Sequence, residues 1–228
     1  MRDQQWDNAI VISILKNAED TLQAASYGLD DVKAKDGPRK LSGIRNLVVF
    51  GRSVTFVLQN LRGKVEGFDE WYAPHQEAMS QDKVMRYFLE LRNTILKVGE
   101  LRTMVEATLN GSTEDLLKSA TKPPGAKGMF VGDVYGGSGW YIPMSDGSIE
   151  KFYVDLPKDL ADVKSYFLSV PENYREAIDS RDVVDLGEEY LHKLKVLIDD
   201  CPNIFIGQAA QTYGPDKKRL PRFMRIIK

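Results

Sequence analysis

One cysteine, Cys201, and two histidines, His75 and His192, are all the thiol and imidazole in 228 residues. A single thiol excludes an internal disulfide. Neither histidine has a cysteine or histidine companion at ligand spacing, so no metal site is expected, and no cofactor is expected either. Cys201, followed by Pro202, has the character of a small apolar filler. Charge of either sign is not in excess: 31 Lys and Arg stand against 33 Asp and Glu, a formal −2. That excludes a protein whose whole surface binds polyanions and leaves room for a local basic patch. Long apolar runs are missing as well. No stretch approaches the roughly 20 residues of a membrane span, and the opening MRDQQWDNAI lacks the apolar core of a signal peptide. A soluble cytoplasmic protein with no membrane partner is therefore expected. The glycine-rich GDVYGGSGW (132–140) lacks the Gly-Lys-Ser/Thr ending of a phosphate loop and is expected to be a flexible hairpin or strand connection. There is no internal repeat.

What is present is helical periodicity. Trp6, Ile10, Ile14, Ala18, Leu22 and Ala25 recur at steps of three and four, which predicts a helix over 4–26 that Gly28 and the break KDGPRK (35–40) end. A second helix is expected over 41–63, with Ile44, Leu47, Val48, Val54, Val57, Leu58 and Leu61 covering more than a narrow stripe. Such a helix is central to a bundle or lies in an interface. Gly51 in its middle lets a neighbour approach closely. Residues 66–82 read as an irregular connection with a short helical piece after Pro74, anchored by Phe68, Trp71 and Tyr72. A third helix is expected from Asp82, a plausible N-cap, to about Leu109, apolar on two faces.

After NGSTED the texture changes. TKPPGAKG (121–128) has the proline and glycine density of a loop, and MFVGDVY, GWYIPM and SIEKFYVDL are short β-type runs. Asp146-Gly147 between the last two is a hairpin signal. A helix is expected to start near Asp159, and another spans 182–198 on Val183, Leu186, Tyr190, Leu194 and Leu197. The fold class is α+β, mainly α: an antiparallel helical bundle at 1–112, a linker or loop at 113–128, and a small region at 129–228 with a hairpin or meander plus helix. The acids of DSRDVVD, DLGEEY and LIDD single out no general acid–base pair and read as a solvated face. The tail KKRLPRFMRIIK holds six cations in twelve residues. It suits either a terminal strand or docked tail, or a nucleic-acid grip through Arg222 and Arg225.

The stretch YFLELRNTILKVGE (87–100) carries the sharpest chemical hint. At about 100° per residue, Arg92 falls at the edge of the apolar arc, while Asn93 and Lys97 share the polar face. An arginine flanked by Phe88, Leu91 and Ile95 is partly desolvated, and its guanidinium seeks a carboxylate or a phosphate. The alternative is a snorkelling arginine in a structural salt bridge.

FLELRNTILK (88–97), together with the helices at 4–26 and 41–63, resembles the HEPN superfamily (higher eukaryotes and prokaryotes nucleotide-binding domains). The resemblance covers about the first 110 residues. Its signature is an arginine, often followed by a polar residue, then a histidine after four to six intervening residues. The resemblance implies a homodimer whose protomers bring Arg and His to a shared cleft that cleaves RNA without metal. Arg92 and Asn93 match; Lys97, Val98 and Gly99 stand where the histidine belongs. Imidazole exchanges protons near neutral pH, whereas a lysine of ordinary pKa acts as a positive clamp. The motif is thus degenerate. The expected function is RNA or nucleotide binding with weak or no ribonuclease activity, in a bacterial defence or toxin–antitoxin setting. Arg92 is the expected phosphate contact, Asn93 the positioning group and Lys97 a second cation. Arg45, Arg52, His75, Arg222 and Arg225 are further candidate binding residues, and His75 is the one group able to restore a base beside Arg92. The alternative is a non-catalytic dimeric scaffold that recognises a protein partner.

Overall fold

The computed structural model describes residues 2–34 and 39–210. It is mainly helical with two small antiparallel sheets, the α+β class expected. α1 (Arg2–Lys33) and α2 (Arg39–Leu58) form a long hairpin, and α2 ends in a 3₁₀ turn at Gln59–Leu61. Gly28 does not end α1. It lies where the two helices cross: a Cβ there would come within 2.5 Å of the Leu47 amide nitrogen and 2.7 Å of the Gly43 carbonyl. Two facing glycines let the backbones touch, so the helix-weakening residue is retained for packing. The Arg39–Leu61 stretch also corrects the expectation of no span-length run. By length and composition it is apolar enough to cross a membrane. Here its Ile44, Leu47, Val48, Val54 and Leu58 are sealed in the main core.

α3 (Phe68–Gln81) is a full helix, not an irregular connection. Phe68, Trp71, Tyr72 and His75 sit at helical spacing, and Pro74 is on the exposed side. Asp82 closes α3 and caps α4 (Lys83–Val98), accepting from the Met85 amide at 2.9 Å, as a capping aspartate should. α4 stops eleven residues short of Leu109, at Gly99, whose φ of 75° gives the left-handed C-cap. The residues beyond form strand β1 (Thr103–Leu109), where β-branched Thr103, Val105 and Thr108 favour extended backbone.

α5 (Thr113–Ser119) begins with a capping box between Ser112 and Asp115. Strands β2 (Gly128–Phe130), β3 (Gly139–Pro143) and β4 (Ile149–Tyr153) make one sheet in that order, with Asp146-Gly147 turning the β3–β4 hairpin as read. The helix expected near Asp159 is instead strand β5 (Ala161–Phe167). It pairs with β1 from Thr103↔Phe167 to Leu109↔Ala161. α6 (Arg175–Ile178) is a single turn, and α7 (Val183–Ala210) runs well past 198.

α7 completes the bundle from the far end of the chain. Its Gly187 lies against Leu29 and Leu47, and Tyr190 fills the space over Gly51 that a Cβ would occupy. Tyr190 also stacks on Phe88 at 4.3 Å. Cys201 is fully buried in this core, and burial pushes its thiol up to about 12, so it is an inert filler. A second, smaller core gathers Leu116, Ala120, Ala126, Trp140, Leu156 and Ala161 around the three-stranded sheet.

Candidate functional site

Arg45 meets Gly99 while Phe56 meets Arg92, so α2 and α4 lie antiparallel and bring the basic residues of both onto one face. Residues 45, 52 and 56 follow one stripe of α2, being seven and four apart. Phe56 at its end is 45% exposed, an unusual place for a large ring on the central helix.

The ring has a use. Arg52 holds its guanidinium 4.4 Å from the Phe56 centroid, and the Arg92 guanidinium is 5.6 Å away. Both are within cation–π reach. Arg92 Nη1 donates to Asn93 Oδ1 at 3.1 Å, so Asn93 positions the guanidinium. Neither arginine reaches a carboxylate among the described residues, and the Nε atoms of both are buried with no hydrogen-bond partner. Two cations drawn together over one ring, each with an unsatisfied donor, carry a desolvation cost that an incoming anion would relieve.

Beside Arg52 and Phe56 is a cavity of about 340 Å³ between α2, α3 and α4. Arg52, Phe56, Gln59, Tyr72, Gln76 and Arg86 are among its walls. Gln59 donates to the Tyr72 hydroxyl at 3.3 Å, which leaves its carbonyl oxygen available. The wall therefore mixes amides, a hydroxyl and cations with Met79, Met85 and Leu89.

The other sequence candidates separate. Lys97 is exposed on the last turn of α4 and makes no ion pair among the described residues. Arg45 is occupied: its Nη2 donates to the Gly99 carbonyl at 2.8 Å and caps α4. His75 does not approach Arg92. Its Nε2 lies 3.1 Å from Asp200 Oδ2, the oxygen that also accepts from Trp71 Nε1, so it ties α3 to α7. The helical register of α3 turns Tyr72 and Gln76 to the cavity and Trp71 and His75 away, and no imidazole restores a base. Arg222 and Arg225 lie outside the described residues. Sequence reasoning missed Phe56; the signal was an Arg-x-x-x-Phe step on a helix whose other large apolar side chains are mostly buried.

The glycine-rich loop between β2 and β3 is organised by Asp133, which the sequence did not single out. Its Oδ1 accepts from the Tyr135 and Gly137 amides at 3.0 Å, and its Oδ2 from Lys151 at 2.7 Å and Tyr153 at 2.9 Å. Burial works to raise this carboxyl, but the four hydrogen bonds outweigh it and hold it below the usual carboxylate range.

The fold and this face define a helical α+β protein with an unsatisfied cationic surface on α2 and α4. Residues 38–119, from α2 through α5, match the family described as bacteriophage lambda protein ea47, to which the chain is similar over about a third of its length. No curated protein and no solved structure matches.

Proposed function

We propose that the α2–α4 face binds the phosphate of RNA or of a nucleotide, in the manner of a degenerate HEPN-like domain. The observation that carries this reading is the pair Arg52 and Arg92: two guanidiniums beside one exposed ring, with buried Nε donors and no carboxylate partner among the described residues. Arginine's planar fork suits phosphate, and an exposed aromatic beside it suits a stacked base. Lys97 supplies a further, solvated cation. With no imidazole at the face, binding without cleavage follows. A cytoplasmic location and a bacterial defence or toxin–antitoxin setting belong to the same reading.

The protein also pairs with itself in this proposal. Leu96 is 54% and Val98 71% exposed on the last turn of α4, flanking Lys97. Leu96, four residues after Arg92, shares its stripe, so burying Leu96 against a second copy would bring two basic faces together.

The test is fluorescence anisotropy with a labelled single-stranded RNA at 50 and 200 mM salt, alongside Arg52→Ala/Arg92→Ala. Binding that weakens with salt and is lost in the double variant supports the proposal. Absence of binding at low salt, or equal binding by a double variant with native circular dichroism, overturns it.

A further inference from the structure

The cavity between α2, α3 and α4 shares Arg52 and Phe56 with the cationic face, but the rest of its wall has a different chemistry. Its lining runs from the buried Thr55, Tyr72 and Tyr190 out to the exposed Gln76, Ser80 and Arg86, so it is a recess that opens at the surface. At about 340 Å³ it falls in the range of small-molecule sites, roughly 300–1,000 Å³. Among the described residues no carboxylate lines it.

Two amides decide what the recess is able to read. Gln59 Nε2 donates to the Thr55 carbonyl at 3.1 Å and to the Tyr72 hydroxyl at 3.3 Å, which uses both of its hydrogens. The amide is thereby held in one orientation, and its Oε1 remains an acceptor. Gln76 stands one turn beyond Tyr72 on the same face of α3. It makes no hydrogen bond among the described residues, so it keeps both a donor and an acceptor. Met79, Met85 and Leu89 supply the apolar wall, and a thioether packs well against an aromatic ring.

Resting on the phosphate reading of Arg52 and Arg92, we propose that this recess seats the base of an adenine nucleotide. A phosphate held by Arg52 stands at the wall of the recess, so the nucleoside it carries reaches in. A glutamine amide matches adenine because it accepts from the exocyclic amine while donating to the neighbouring ring nitrogen. Gln76 offers both at once, and the Gln59 oxygen takes the second hydrogen of that amine. Guanine is the base that arginine reads. Here Arg52 is given to the phosphate, and Arg86 stands 3.9 Å from Glu90. Uracil has no exocyclic amine for the Gln59 oxygen, and its smaller ring covers less of the methionine wall.

The test is isothermal titration of the full-length protein with AMP, GMP, UMP and ribose 5-phosphate at 50 mM salt. We expect AMP to bind about ten times tighter than the other three, the worth of one well-placed amide pair. Gln76 is exposed, so Gln76→Leu should keep the fold, and it should bring AMP to the affinity of ribose 5-phosphate. Equal binding of AMP and ribose 5-phosphate overturns the base seat and leaves the phosphate reading standing. So does GMP or UMP binding as tightly as AMP, or an AMP preference that survives Gln76→Leu. Binding of the labelled RNA without any binding of AMP has the same meaning. A protein that binds neither ribose 5-phosphate nor RNA overturns both readings.

Discussion

Replacing Arg92 by methionine separates what its guanidinium does for the fold from what it does for a ligand. Breaking a buried ion pair is destabilising because a charge is left behind, but here no carboxylate would be abandoned. Arg92→Met keeps the stem against Phe56 and removes the unpartnered buried Nε donor, at the expense of the Nη1 bond to the neighbouring Asn93. We expect thermal stability unchanged or raised by up to about 1 kcal/mol, while RNA affinity falls about five- to tenfold and the salt slope drops by about 0.7. Calorimetry and salt-dependent anisotropy on the same preparation check both. Asp133 is the opposite kind of residue, with a carboxylate side chain 6% exposed and four donors to abandon. Asp133→Ala should cost about 2–4 kcal/mol in urea unfolding. Its folded pKa lies below its unfolded value, so its contribution is complete above about pH 3.9 and is lost as pH falls through the depressed folded pKa. The wild type should therefore lose more stability than Asp133→Asn between pH 5 and the acid limit, a difference that urea titrations at several pH values would show.

At the scale of elements, two glycine substitutions distinguish contact from conformation. Gly28 has ordinary helical backbone, and alanine alone would improve helix propensity. The incoming Cβ, however, meets the Leu47 nitrogen and the Gly43 carbonyl at 2.5 and 2.7 Å, and backbone atoms cannot swing aside. Gly28→Ala should force α1 from α2 and cost about 3 kcal/mol. Gly63 has open space around it but φ 72°, so Gly63→Ala should cost about 1 kcal/mol through left-handed strain alone. Reversal of that order in thermal denaturation would mean that the α1–α2 crossing is looser than its geometry. The same contrast explains what could be read in advance. The helical parts of 82–98 and 183–198 were legible because their 3.6-residue period is strong, and Asp82 and Asp146-Gly147 because each carries its own local mechanism. Gly28 was misread as a stop because its partner, Gly43, is fifteen residues away and nothing local reveals it. β1 was read as helix because Val98, Val105 and Leu109 continue the apolar spacing of α4, while the left-handed cap at Gly99 depends on a single residue. β1 and β5 stabilise each other only across more than fifty residues of chain. Of the site, Arg52, Arg92 and Asn93 could be named from the sequence; the ring that joins them could not, because Phe56 scores as one more apolar core position.

The whole molecule is held by a closure between its two ends. The main core draws Val11 to Ile95 together with Phe167 to Cys201, and the residues between fold out as the smaller core. Leu186, Leu194 and Ile198 on α7 are completely buried, Tyr190 very nearly so, and all lie against surfaces of α1, α2 and α4 that are themselves buried. A fragment of residues 1–112 would uncover the Gly51 notch, the Phe88 ring and the Leu29–Leu47 seam at once. Burial of each large apolar side chain contributes roughly 1.5–3 kcal/mol, so losing four of them, about 6–12 kcal/mol, removes most of the margin of a typical domain, roughly 5–15 kcal/mol. We expect that fragment to be helical by circular dichroism yet to lack a cooperative thermal transition and to bind a hydrophobic dye. Adding residues 160–210 as a separate chain should restore the transition, because α7 is a continuous helix and β5 carries its own pairing face for β1. A fragment that melts cooperatively by itself would show that α7 is an accessory to the bundle. The α2–α4 face would then be positioned by the first four helices alone, and its anion affinity should survive in the fragment undiminished.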